Sequence, residues 1–153
     1  MSRLMLESYL PAELSPVGAT RGNRREDPIT ESVEHALSAA HPDRRGVEHR
    51  REQRYPYPHP IHLTPLDTPR GVRAETIVVI GKQLSPHGVD FYHREPLGHR
   101  RVIASLDAGE RGWIGFLLEL AWCRFNRHGW YDNGGRFLAI VDSPLEIERR
   151  TSA

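Results

Sequence analysis

The sequence predicts a small antiparallel β-barrel behind a polar N-terminal extension. Three observations lead there. Short apolar runs with a period of two recur from Ile61 onward, turn residues separate them at intervals of roughly 8 to 12 positions, and Met1 to about Gly46 holds apolar residues too scattered to enclose a core. The chain has 153 residues, 38% of them hydrophobic, and a mean hydropathy of -0.57. That fits one domain with a sizeable stretch outside its core.

The elements follow in order. Residues 1–46 read as an extension, partly disordered, with one short helix near 28–40. Asp27 and Pro28 supply an N-cap and a first-turn residue, and Ile29, Val33 and Leu37 recur every four positions. Their narrow stripe suggests a helix that packs loosely or frays, with a partner-binding helix as the sharper reading. After the basic stretch Arg44 to Arg54, the alternating prolines of Tyr55-Pro56-Tyr57-Pro58-His59-Pro60 hold the chain extended.

Ile61 and Leu63 open the first strand, which Pro65 should end or confine to an edge. Thr76 to Ile80 is a β-branched run of the kind buried on both faces or nearly so, and Val89, Phe91 and His93 resume the alternation after Gly88. A strand over Arg101 to Leu106 comes next. Trp113 to Phe125 is the most apolar segment, and the spacing of Ile114, Leu117, Leu118 and Ala121 also suits a buried helix. Its Trp, Phe and Cys content and its strand-like neighbours favour a strand. Arg136 to Val141 is its expected partner, through a turn at Asp132-Asn133-Gly134-Gly135. Residues 47–142 thus form the barrel and 143–153 a short tail.

Net charge is only +1, so no broad field draws the protein to DNA, RNA or an anionic membrane. No apolar run reaches the length of a bilayer span and the start lacks the apolar core of a signal peptide, so the cytoplasm is the expected location. Cys123, the single cysteine, reads as a buried structural thiol. No nucleophile motif, phosphate loop or framed carboxylate pair is present, so no enzymatic activity is expected. His59 and His62 lack the companions of a metal set, His128 and Trp130 read as a packed turn, and no cofactor or metal is expected.

Two clusters carry binding chemistry. Arg50 and Arg54, four apart with Arg51 between them, precede the barrel; guanidinium forks suit phosphates and the O6/N7 edge of guanine. About thirty positions later comes Lys82-Gln83-Leu84-Ser85-Pro86-His87-Gly88, where Ser85 offers a hydroxyl and Gly88 a permissive backbone. Each cluster alone suits a solvated linker or an ordinary turn.

Together, Arg50-x-x-x-Arg54 and Ser85-x-x-Gly88 in this order resemble the PilZ domain family, six-stranded barrels that bind cyclic di-GMP. The resemblance extends from Arg50 to about Val141, including Leu120 to Phe125 and Gly135-Arg136-Phe137. It implies a non-enzymatic cyclic di-GMP receptor that signals to a downstream protein through its arginine segment. Arg50, Arg54, Gln83, Ser85 and Gly88 become the implied ligand contacts, with Arg51 and His87 as additional ones. Gln83 departs from the family, which has Asp or Asn there; a glutamine offers one acceptor where a carboxylate offers two. A degenerate interaction module that no longer binds nucleotide is the alternative.

Overall fold

A computed structural model describes residues 23–41, 54–68 and 75–146. Within them lie a helix, α1 (Asn23–Ala40), and seven strands: β1 (Tyr55–Pro56), β2 (Pro60–Pro65), β3 (Ile77–Leu84), β4 (Gly88–His93), β5 (Arg101–Asp107), β6 (Trp113–Phe125) and β7 (Tyr131–Val141). The strand order is β1-β3-β2-β5-β6-β7-β4, and a further β3–β4 pairing closes the sheet into a six-stranded antiparallel barrel, with β1 an added strip beside β3. The barrel expected from the strand spacing is therefore present.

Alternation sets its inside. Ile61 and Leu63 of β2, Val79 and Leu84 of β3, Val89 and Phe91 of β4, and Val102, Ala104 and Leu106 of β5 are all buried. Phe116 and Leu118 of β6 join them, and the Phe116 ring stacks on Phe137 with centroids 4.3 Å apart. Tyr57 is also enclosed; burial first, and the Asp107 carboxylate second, push its hydroxyl up to about 12. A smaller cluster of Leu66, Ile103, Leu117 and Ala139 forms a second core. Strand β2 ends at Pro65, and it lies between β3 and β5 rather than at an edge.

The helix departs from expectation. It starts at Asn23 rather than near Pro28, so Asp27 is not its cap; Pro28 lies inside, where it forfeits one backbone hydrogen bond. It does not pack loosely. Val33, Ala36 and Leu37 are wholly buried in the same core as the barrel's inner residues, with Ile29 and Ala40 against it. Its C-terminal end is tied to β1 by a 2.7 Å hydrogen bond between His41 Nε2 and the Pro56 carbonyl. A stripe judged narrow for an isolated helix suffices when it covers a barrel core.

Three further expectations are corrected. The turn between β6 and β7 is made by Asn126 to Trp130, not by Asp132 to Gly135, which lie within β7. Gly129, with φ of 79°, provides the positive angle, and the Asn126 side-chain oxygen accepts the N–H groups of His128 and Trp130. Gly134 instead makes room for the Trp122 ring, which a Cβ there would strike. Thr76 to Ile80 is not buried on both faces: Val78 and Ile80 are 52% and 45% exposed, and among the described residues no layer covers the outer face of β3 there. Cys123 is exposed, since it lies in the last five residues of β6, all of which face solvent.

No helix among the described residues is long and apolar enough to cross a membrane.

Candidate functional site

Strand β6 runs from the helix end of the barrel at Trp113 to a cleft beside Ala121 and Trp122. That cleft has a volume of about 230 Å³ and is lined by Arg54, Gln83, Ser85, His87, Gly88 and Asp90, together with Ala121, Trp122, Gly135 and Arg136. Five of the residues singled out from the sequence, Arg54, Gln83, Ser85, His87 and Gly88, share this one wall. Arg50 and Arg51 lie outside the described residues.

Short-range geometry explains the wall. Strands β3 and β4 form a hairpin whose corner is Ser85-Pro86-His87. The Ser85 N–H donates to the Gly88 carbonyl at 3.0 Å, and the Ser85 hydroxyl accepts the His87 N–H at 3.2 Å. Ser85 is 8% exposed, so this hydroxyl staples the corner and keeps only a small face toward the cleft. The His87 carbonyl in turn accepts the Phe137 N–H at 2.8 Å, fixing the corner to β7.

Gly88 acts differently from the expectation that it supplies an unusual backbone angle, because its φ is not positive. What it supplies is proximity. A Cβ at Gly88 would collide with the Gly135 carbonyl, so β4 reaches β7 only without a side chain there.

Arg54 enters the cleft from the residue before β1, and its Nη1 donates to Asp90 Oδ2 at 3.3 Å. The arginine side chain is 64% exposed and that of Asp90 only 16%. Burial raises the Asp90 pKa; Arg54 and Lys82 pull it back, Asp132 pushes it up again, and the balance lies above the ordinary aspartate value. Arg136, also in the cleft lining, is engaged by Glu119: its Nε and Nη2 donate to Glu119 Oε1 at 3.1 and 2.9 Å. Burial draws the Glu119 carboxyl upward, but Arg136 and Arg101 outweigh it and hold it below the usual carboxylate range.

Sequence reasoning missed Asp90, Trp122 and Arg136. Trp122 was counted with the apolar run of β6, yet it is 37% exposed and rests against Gly134. The Arg124 guanidinium sits 5.3 Å from its ring centroid, so the indole carries a cationic neighbour on an open surface. Trp122 lies in the last five residues of β6, all of which are exposed, just past a register shift between Leu120 and Trp122 that a periodic pattern does not announce.

The remaining candidates lie elsewhere. His59 rests against Tyr57 and His62 against Trp113, each with ring centroids 5.0 Å apart. His128 and Trp130 border a second cleft of about 550 Å³ with Ile80, Tyr92, Asn126 and Asp132. Arg94 lies over the Trp130 ring at 5.1 Å.

No family model and no curated protein matches the chain. Two solved structures are similar to it. One is the K. pneumonia MrkH-c-di-GMP complex, 20% identical, covering 68% of this chain and 49% of that one with a TM-score of 0.42. The other is K. pneumonia MrkH in its apo state, 19% identical, covering 69% of this chain and 50% of that one with a TM-score of 0.41. The chain spans about half the length of these structures.

Proposed function

We propose that the protein is a receptor module for cyclic di-GMP rather than an enzyme, and that it passes the binding event to a partner protein through the segment carrying Arg50, Arg51 and Arg54. The observation that supports this most is the convergence of Arg54, Gln83, Ser85, His87 and Gly88 on one cleft, although Arg54 is some thirty positions from the others in sequence.

A cleft of about 230 Å³ is small beside the roughly 300–1,000 Å³ of ordinary ligand pockets. It suits one purine end of a dinucleotide, and the remainder would lie along the outer surface, within reach of arginines three and four residues ahead of Arg54. Guanidinium forks there would meet the phosphates. Drawing those arginines onto the ligand would reposition everything N-terminal to them, which is the proposed signal.

A second reading keeps the barrel as an interaction module without nucleotide. Gln83 in place of Asp or Asn and the outward-facing Val78 and Ile80 favour it. Calorimetric titration with cyclic di-GMP separates the two. The receptor reading expects saturable binding that the Arg50→Ala, Arg54→Ala double variant weakens roughly a hundredfold, from the loss of two charge-assisted contacts. Absence of heat at high micromolar ligand, with the fold intact, would leave the interaction module.

A further inference from the structure

An acid in a cleft meant for an anionic ligand needs a reason. Asp90 supplies no core packing, because Val89 and Phe91 on either side of it take the buried positions of β4. Its pairing with a largely exposed arginine contributes little to stability. A carboxylate there should also repel phosphates.

Its position resolves the conflict. Asp90 stands directly opposite Gln83 in the β3–β4 ladder, just past a register shift between Gly81 and Gln83, and both residues line the cleft. Side chains so paired lie roughly 5 Å apart at Cβ. Asp90, the one carboxylate among the described residues that line the cleft, is thus beside the glutamine, and its Oδ2 is already joined to Arg54 Nη1. Guanine presents an acceptor, O6, next to two donors, N1–H and the N2 amino group. An arginine and an aspartate side by side present the complementary order, donors and then acceptors. Adenine reverses the pattern, placing the N6 amino donor beside the N1 acceptor, and would set donor against donor and acceptor against acceptor.

We propose that Asp90, acting with Arg54, is the residue that selects guanine in this cleft, accepting from N1–H and the N2 amino group across the ladder from Gln83. The inference rests on the cyclic di-GMP reading and names the specificity determinant within it. The same carboxylate holds Arg54 at the cleft. On binding, the guanine edge docks against the pair without separating it.

The test titrates wild type, Asp90→Ala and Gln83→Ala with cyclic di-GMP and with cyclic di-AMP, and checks each variant's melting transition. Wild type should prefer the guanine ligand. Asp90→Ala should weaken cyclic di-GMP roughly tenfold to a hundredfold while leaving cyclic di-AMP nearly unchanged, so that discrimination collapses. Gln83→Ala should cost less than Asp90→Ala. If wild type binds cyclic di-GMP and Asp90→Ala binds it equally well or more tightly, Asp90 merely restrains Arg54; the inference is overturned and the receptor reading stands. If wild type binds neither nucleotide, the receptor reading fails and takes the inference with it.

Discussion

Leu37→Ala should lower the unfolding free energy by about 2–5 kcal/mol, the usual cost of emptying a buried leucine site. The leucine is wholly buried and sits in one cluster with Tyr57, Phe116 and Leu106, so its removal leaves a void between α1 and the barrel rather than a smoother surface. Collapse of that void is limited because the helix is held by Val33 and Ala36 on the same face and by His41 at its end. Urea unfolding of the full chain measures the loss. A change below about 0.5 kcal/mol, the size expected of a surface substitution, would mean that the helix is not part of the core.

Gly88→Val is expected to be at least as severe, about 3 kcal/mol or more, the upper end of overpacking costs. The obstruction is backbone. A Cβ at this position meets the Gly135 carbonyl and comes within 3.1 Å of the Arg136 Cα, neither of which can rotate away as a side-chain tip could. Strand β4 pairs with β7 through Gly88↔Arg136 and Val89↔Gly135, so relief requires opening the ladder that closes the barrel. The corner that carries Ser85 and His87 would move with it, and ligand binding should be lost along with stability. Gly98→Ala is the control: no described atom lies within 4 Å of a Cβ there, and the change should stay within about 0.5 kcal/mol. Equal thermal midpoints for the two variants would contradict this account of Gly88.

Much of the barrel is legible because strand burial has a period of two and the relevant residues state it plainly. Val89 and Phe91 point inward with polar neighbours outward, as their alternation implies. Trp113 to Phe125, ambiguous by spacing alone, is resolved correctly by its aromatic content and its neighbours. The failures share a different cause. Gly134 and Gly135 suggest a turn locally, yet they serve close packing with residues of β6, a contact made between strands. Val78 and Ile80 look like core because composition records apolarity but not which layers exist to cover it. The helix is underrated for the same reason, since the surface that buries Leu37 lies in a later part of the chain.

The cleft divides along the same line. Arg54, Ser85 and Gly88 can be singled out because each has a chemical or turn signature within a few residues. Asp90 has none. Its proposed role comes from facing Gln83 across a ladder with a register shift, and that partnership exists only after the hairpin has formed. Trp122 is similar, exposed in a stretch of β6 whose outer end is open on both faces, which its own apolar sequence neighbourhood does not mark.

On the receptor reading, an anionic guanine ligand would settle on the Ser85 corner and draw the arginine lead-in onto it. Hydrogen exchange followed by mass spectrometry, with and without saturating cyclic di-GMP, locates such a ligand without altering a residue. Slowed exchange in peptides covering 50–54 and 83–90 together is the expected result. Exchange unchanged in both segments while the ligand is demonstrably bound, or protection confined to a surface remote from Arg54 and Ser85, would contradict it.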